Sequence, residues 1–248
     1  MNSQDSTENP AARLHALLSR VEKRWISSSL WAESIGIDPI DRIALRRYTL
    51  EAVRLVDNVR EAVDRLPPNK NREPLLRHLP DIEEFFGRAY FAGSEKTVQA
   101  PAAEAMFGLE MCADALREYD IGDATIPETD RQDLLNLVQE LITAVRDDAE
   151  LDSVARLYLL DRLMDVERAL LHFELVGLDG VEAAIDRLVG GTIAYPQSRK
   201  QGIMDKIGIL WRRIHGFSAE VKSITDAGTS AATFVAALTV GDSGAPPN

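Results

Sequence analysis

The stretch LLDRLMDVERALLHFELVG, residues 159–177, holds no proline, and its only glycine is the last residue. Its apolar residues recur at intervals of three and four, the spacing of a helix. Leu159, Leu163, Val166, Leu170 and Phe173 form one apolar face, and Leu160, Met164, Leu171 and Leu175 form another. A helix apolar on two sides is expected to lie centrally, sandwiched between neighbours in an all-α bundle. Its polar residues are not one cluster. Asp161, Asp165, Arg168 and His172, at offsets of 4, 7 and 11 residues, fall within about 60° of one another, whereas Glu167 and Glu174 lie off that line. Two readings of the stripe are open. It is a solvated strip whose Asp165–Arg168 pair contributes only about 0.2–0.5 kcal/mol, or it lines a groove that recognises a polar ligand or partner.

The rest of the chain carries the same helical spacing. Residues 1–9 are expected to be disordered, and a first helix is predicted over about 10–33, with Leu14, Leu17, Leu18, Val21 and Trp25 as its stripe. In GIDPIDR, residues 36–42, Asp38 is a candidate cap, Pro39 suits the first helical position and Asp41 suits the positive end. The helix that follows places Leu45, Tyr48, Ala52, Leu55, Val59, Ala62 and Leu66 on one face, and PPNKNREP (67–74) ends it. Further helices are predicted over about 75–91, with a bend or restart at Pro80, and over 101–119, 130–149, 152–176 and 180–188. No alternating run predicts a strand. The expected fold is therefore an all-α bundle of about seven to eight helices in a single domain over 10–240. A weak boundary falls near 120–128, and 241–248 form a disordered tail.

The last predicted helix, 197–239, carries a heptad seam: Ile203, Ile207, Leu210, Ile214, Phe217, Val221 and Ile224, continuing into the small residues Gly228 and Ala231. Unbroken, it would be roughly 64 Å long at 1.5 Å per residue. Such a seam packs inside its own bundle or joins two chains. Residues 224–240, ITDAGTSAATFVAALTV, contain Asp226 and are shorter than the roughly 20 apolar residues of a membrane span. Insertion after oligomerisation is the only membrane role they suit.

Composition narrows the classes of function. The 248 residues are 45% hydrophobic and 27% charged, values typical of a folded chain. A formal net charge of −12 opposes non-specific binding to nucleic acid or anionic lipid. The single cysteine, Cys112, excludes an internal disulfide and any multi-cysteine metal site. The polar start, MNSQDSTENPAARLHALL, lacks an apolar signal core and predicts a cytoplasmic protein.

Chemistry-bearing motifs are scarce. There is no P-loop, no GxGxxG, no HExxH and no Glu-x-x-His, and no cofactor or metal is expected. One short stretch, REPLLRH, sets Arg72 six residues before His78. It resembles the Arg-x(4–6)-His motif of the all-α HEPN ribonucleases over seven residues. That resemblance implies a metal-independent ribonuclease in which His78 acts as acid or base and Arg72 stabilises the phosphate. The residues themselves favour a non-enzymatic module that binds a protein partner or a second copy of itself. The expectation extends to a regulatory or adaptor role beside a bacterial toxin or defence partner.

Overall fold

A computed structural model describes residues 9–21, 25–91, 97–122, 124–194 and 201–222. The chain folds as an all-α multi-helix bundle with one small two-stranded sheet. The order is α1 (Pro10–Ser19), β1 (Trp25–Ser27), α2 (Ser28–Ser34), α3 (Arg42–Asp64), α4 (Glu73–Leu76), α5 (Leu79–Phe91) and β2 (Thr97–Gln99). Then come α6 (Ala103–Glu118), α7 (Glu128–Asp147), α8 (Ser153–Leu171), α9 (Phe173–Ala194) and α10 (Gln201–Lys222).

Local chemistry explains where the helices start. Asn9 caps α1 by accepting from Ala12 N at 2.9 Å, with Pro10 at the first helical position. Asp41, rather than Asp38, caps α3, accepting from Ala44 N at 2.9 Å. Asp38 instead folds the preceding turn by accepting from Ile40 N at 2.9 Å. Asp152 caps α8 through Val154 N and Ala155 N. Pro80 marks a restart, in the first turn of α5.

The first predicted helix is two pieces. Trp25–Ser27 pairs antiparallel with Thr97–Gln99, Ile26 opposite Val98, and Ser27 then caps α2 by accepting from Leu30 N. The absence of strands predicted from alternation is corrected by these two short runs, whose partners lie some seventy residues apart. Trp25 accordingly leaves the predicted stripe and is half exposed, while Trp31 becomes the fully buried aromatic, its Nε1 donating to Thr49 Oγ1 at 3.1 Å.

Buried side chains form two clusters. One draws on α1, α2, α3, α5 and α6, together with Leu175. The other runs from Ile126 through α7, α8, α9 and α10 to Ile214. Val176 packs against both. The predicted face of α3 is buried in the first cluster along its whole length, from Leu45 to Leu66.

α8 packs against both α7 and α9, with Leu159, Leu163, Val166 and Leu170 buried in the second cluster. Of the other predicted face, Leu175 is buried and Leu160 partly buried, but Met164 and Leu171 are 52% and 60% exposed, so that face is covered only in part. The helix also stops at Leu171, with His172 as its C-cap, and the chain continues as α9 through a non-helical Gly177. The predicted helix end at Gly177 is therefore a kink inside α9.

Candidate functional site

The open face of α8 borders a groove of about 910 Å³. α3 forms one wall, with Ile43, Arg47, Leu50, Arg54, Asn58, Glu61 and Arg65; α8 and α9 form the other. Of the predicted stripe, Asp165, Arg168 and His172 line this groove, and Asp161 does not. Asp165 accepts from Arg168 Nη1 at 3.0 Å and pairs with Arg162 Nη1 at 2.9 Å, while Asp161 pairs with Arg162. Apolar side chains stand open between the ionic ones: Ile43 is 66% exposed and Leu50 47%, facing Met164 and Leu171 across the groove. Among the described residues no carboxylate lies within ion-pair distance of the groove arginines Arg47, Arg65 and Arg187.

A polar junction beside Tyr48 and His172 joins the helices where the two cores meet. Glu174 accepts from Arg20 Nη1 and Nη2 at 2.9 and 2.5 Å and from the Tyr48 hydroxyl at 2.9 Å, tying α1, α3 and α9 together. Burial opposes the charge on Glu174, yet the bonds from Arg20 and Tyr48 outweigh it and hold the carboxyl below its ordinary value. Burial, with the neighbouring carboxylate, pushes the Tyr48 phenol far above its usual range. The His172 ring stands edge-on to Tyr48, with ring centroids 5.2 Å apart. Burial lowers its pKa, with Arg168 adding to the effect and Glu174 opposing it, which favours the uncharged imidazole. Among the described residues the groove lining contains no serine, threonine, cysteine or lysine. The Tyr48 hydroxyl is committed to Glu174, and the described lining brings His172 together with several carboxylates and arginines.

Arg72 and His78 are not brought to one site. Arg72 Nη2 donates to the Leu66 carbonyl at 2.5 Å, and its Nη1 lies 3.6 Å from Asp64, so it braces the end of α3. His78 lines a shallow depression with Arg77, Phe107, Gly108 and Met111, to which Arg72 does not contribute. Cys112 is buried, which pushes its thiol pKa up to about 12 and leaves it unreactive.

The heptad seam also has a clear place as far as it is described. Ile203, Ile207, Leu210 and Ile214 are 6%, 1%, 0% and 0% exposed, and Phe217 is partly buried against the same core. These residues fasten α10 to α7 and α9 within one chain, leaving those four no free surface for a second chain. The side chain of Val221, and all of Ile224 and of 224–240, lie outside the described residues. Among the described residues no helix is long and apolar enough to cross a membrane.

One cluster went unsignalled in the sequence. His215 Nδ1 lies 3.1 Å from Glu182 Oε1 and its Nε2 lies 3.0 Å from Asp186 Oδ1, where Trp211 Nε1 also donates at 3.0 Å. Ser218 donates to Glu182 and not to the imidazole, so serine, histidine and acid do not form a nucleophilic relay. The group is a latch of α10 on α9. Its two carboxylates, Glu182 foremost, raise the His215 pKa above its ordinary value despite partial burial. A raised folded-state pKa contributes stability that is fully present below about pH 6.5 and is lost as pH rises through the folded value. The melting-temperature gap between wild type and His215→Asn should therefore be widest near pH 5.5–6 and shrink by about pH 8.5. A gap that widens with pH would contradict the latch.

Comparison with family models, with curated proteins and with solved structures finds no match to this chain.

Proposed function

We propose that the protein is a non-enzymatic binding module whose groove between α3 and α8–α9 receives a segment of a protein partner. The observation that carries this reading is the groove lining. Exposed Ile43, Leu50, Met164 and Leu171 alternate with Arg47, Arg54 and Arg168, the amphipathic surface that protein docking uses. Apolar anchors supply affinity through burial, and arginine is favoured at interfaces because its planar fork pairs bidentately with carboxylates and its stem packs. A regulatory or adaptor role fits a module of this kind.

The test is a substitution on the α3 wall, which leaves both cores untouched. Leu50→Glu places a charge at an apolar contact on a surface where the folded chain already meets solvent. It should leave the melting temperature within about 2 °C of wild type. Capture of a stoichiometric partner at native expression level should fall at least about tenfold. Phe107→Glu, on the far depression of α6, should capture as well as wild type. Equal capture by Leu50→Glu and wild type would refute the groove.

A further inference from the structure

The exposed side of α8 carries Val154, Leu157, Asp161, Met164, Arg168 and Leu171, at intervals of 3, 4, 3, 4 and 3. That is the repeat of a helix-pairing seam, yet it faces solvent: Val154, Leu157, Met164 and Leu171 are 57%, 69%, 52% and 60% exposed. The buried heptad-like positions of α8, from Leu159 to Leu170, are a separate row that already faces the core. The open row is also palindromic in character about Met164. Leu157 and Leu171 lie seven residues to either side, and Asp161 and Arg168 lie three before and four after.

We infer that this row pairs with the same row of a second copy of the chain, antiparallel, about a two-fold axis at Met164. The symmetry that a two-fold interface imposes is self-complementarity: if residue i meets j, then j meets i. Here Met164 meets the partner's Met164 once, on the axis, while Leu157 meets the partner's Leu171 and Asp161 meets the partner's Arg168, each of these two contacts occurring twice. The mismatch between offsets of three and four residues is about 1.5 Å along the helix, within reach of an arginine side chain. Opposite charges on the seam select this antiparallel register, because the parallel one sets Asp161 against the partner's Asp161 and Arg168 against the partner's Arg168. Asp161 and Arg168 keep their in-chain pairs with Arg162 and Asp165, so the intermolecular pair adds a contact without breaking the monomer.

This inference rests on reading the open face of α8 as a binding surface, and it names the occupant. Leu157 and Asp161 lie outside the groove lining, so the two readings can fail separately. The experiment is sedimentation of the full chain over a concentration series, with charge reversals that the two-fold makes diagnostic. Wild type should be a dimer. Asp161→Arg and Arg168→Asp alone each create two like-charge contacts and should weaken dimerisation at least about tenfold. The double reversal should restore it to within about threefold of wild type. Leu157→Glu should give a folded monomer with an unchanged circular dichroism spectrum. A wild-type monomer at about 100 μM overturns the inference, and if that monomer still loses its partner on Leu50→Glu, the groove reading stands without it. A dimer indifferent to Leu157→Glu, or one that the double reversal fails to restore, also overturns it.

Discussion

Ile214→Glu is expected to lower the melting temperature by about 10 °C or more, or to yield insoluble protein. Ile214 is 0% exposed and sits among the residues that join α10 to the α7–α9 core. Glutamate there would bring a carboxylate into an apolar site, a burial of charge that costs about 3–5 kcal/mol. A domain of this size loses about 2–4 °C per kcal/mol, which sets the expected shift. The nearest titratable cluster, His215 with Glu182 and Asp186, is already satisfied and adds negative charge, so it offers no relief. The readout is a thermal melt beside light scattering. A folded chain with wild-type stability but half the wild-type mass would mean that the heptad row of α10 joins chains rather than closing one.

The second large effect is expected at Gly177. Its backbone, at φ +63° and ψ −172°, lies in a region open essentially to glycine alone. Space is closed as well: a Cβ at this position would lie 2.6 Å from Arg13 Nη1 and 2.8 Å from its Cζ, and the Arg13 side chain is itself buried. Strain of about 1–3 kcal/mol adds to the cost of displacing a buried guanidinium, so Gly177→Ala should destabilise by about 3–5 kcal/mol. The same substitution at Gly190, in regular helix with nothing within 4 Å of the added carbon, should be neutral or mildly stabilising. The pair of denaturation curves separates the kink from a general intolerance of side chains in α9. Since Gly177 lies three residues after Glu174, the acceptor of the Tyr48 and Arg20 bonds, Gly177→Ala should loosen that junction before the outer ends of the bundle, measurable as faster amide exchange in α9.

What the sequence reveals and what it hides divide along physical lines. The buried face of α3 is legible because one strong period runs from Leu45 to Leu66, while Ile43 and Leu50 stand off that row and stay open on the groove wall. On α8 there are more apolar positions than the core uses. Periodicity counts apolar residues but does not say which row meets the protein and which meets solvent, so Met164 and Leu171 predict a burial that the fold does not give them. The grouping of Asp165, Arg168 and His172 follows from helical spacing alone, and the groove they border depends on α3, more than a hundred residues earlier. Glu174 falls off that line, and its partners Tyr48 and Arg20 lie 126 and 154 residues away, so no local signal marks the junction. The latch at His215 is similar: Glu182 and Asp186 share a face of α9, but only the packing of α10 across it brings the imidazole between them.

A protein segment is the proposed occupant of the groove between α3 and α8–α9. A photo-activated cross-linking residue at position 50, on the α3 wall, tests it most directly when irradiated in cells at native expression and compared with the same residue at position 107. A filled groove should give a discrete cross-linked species from position 50, absent from position 107 and suppressed when Ile43→Glu is added to the same chain. Equal cross-linking from both positions, or none from position 50 in a folded protein, would contradict it.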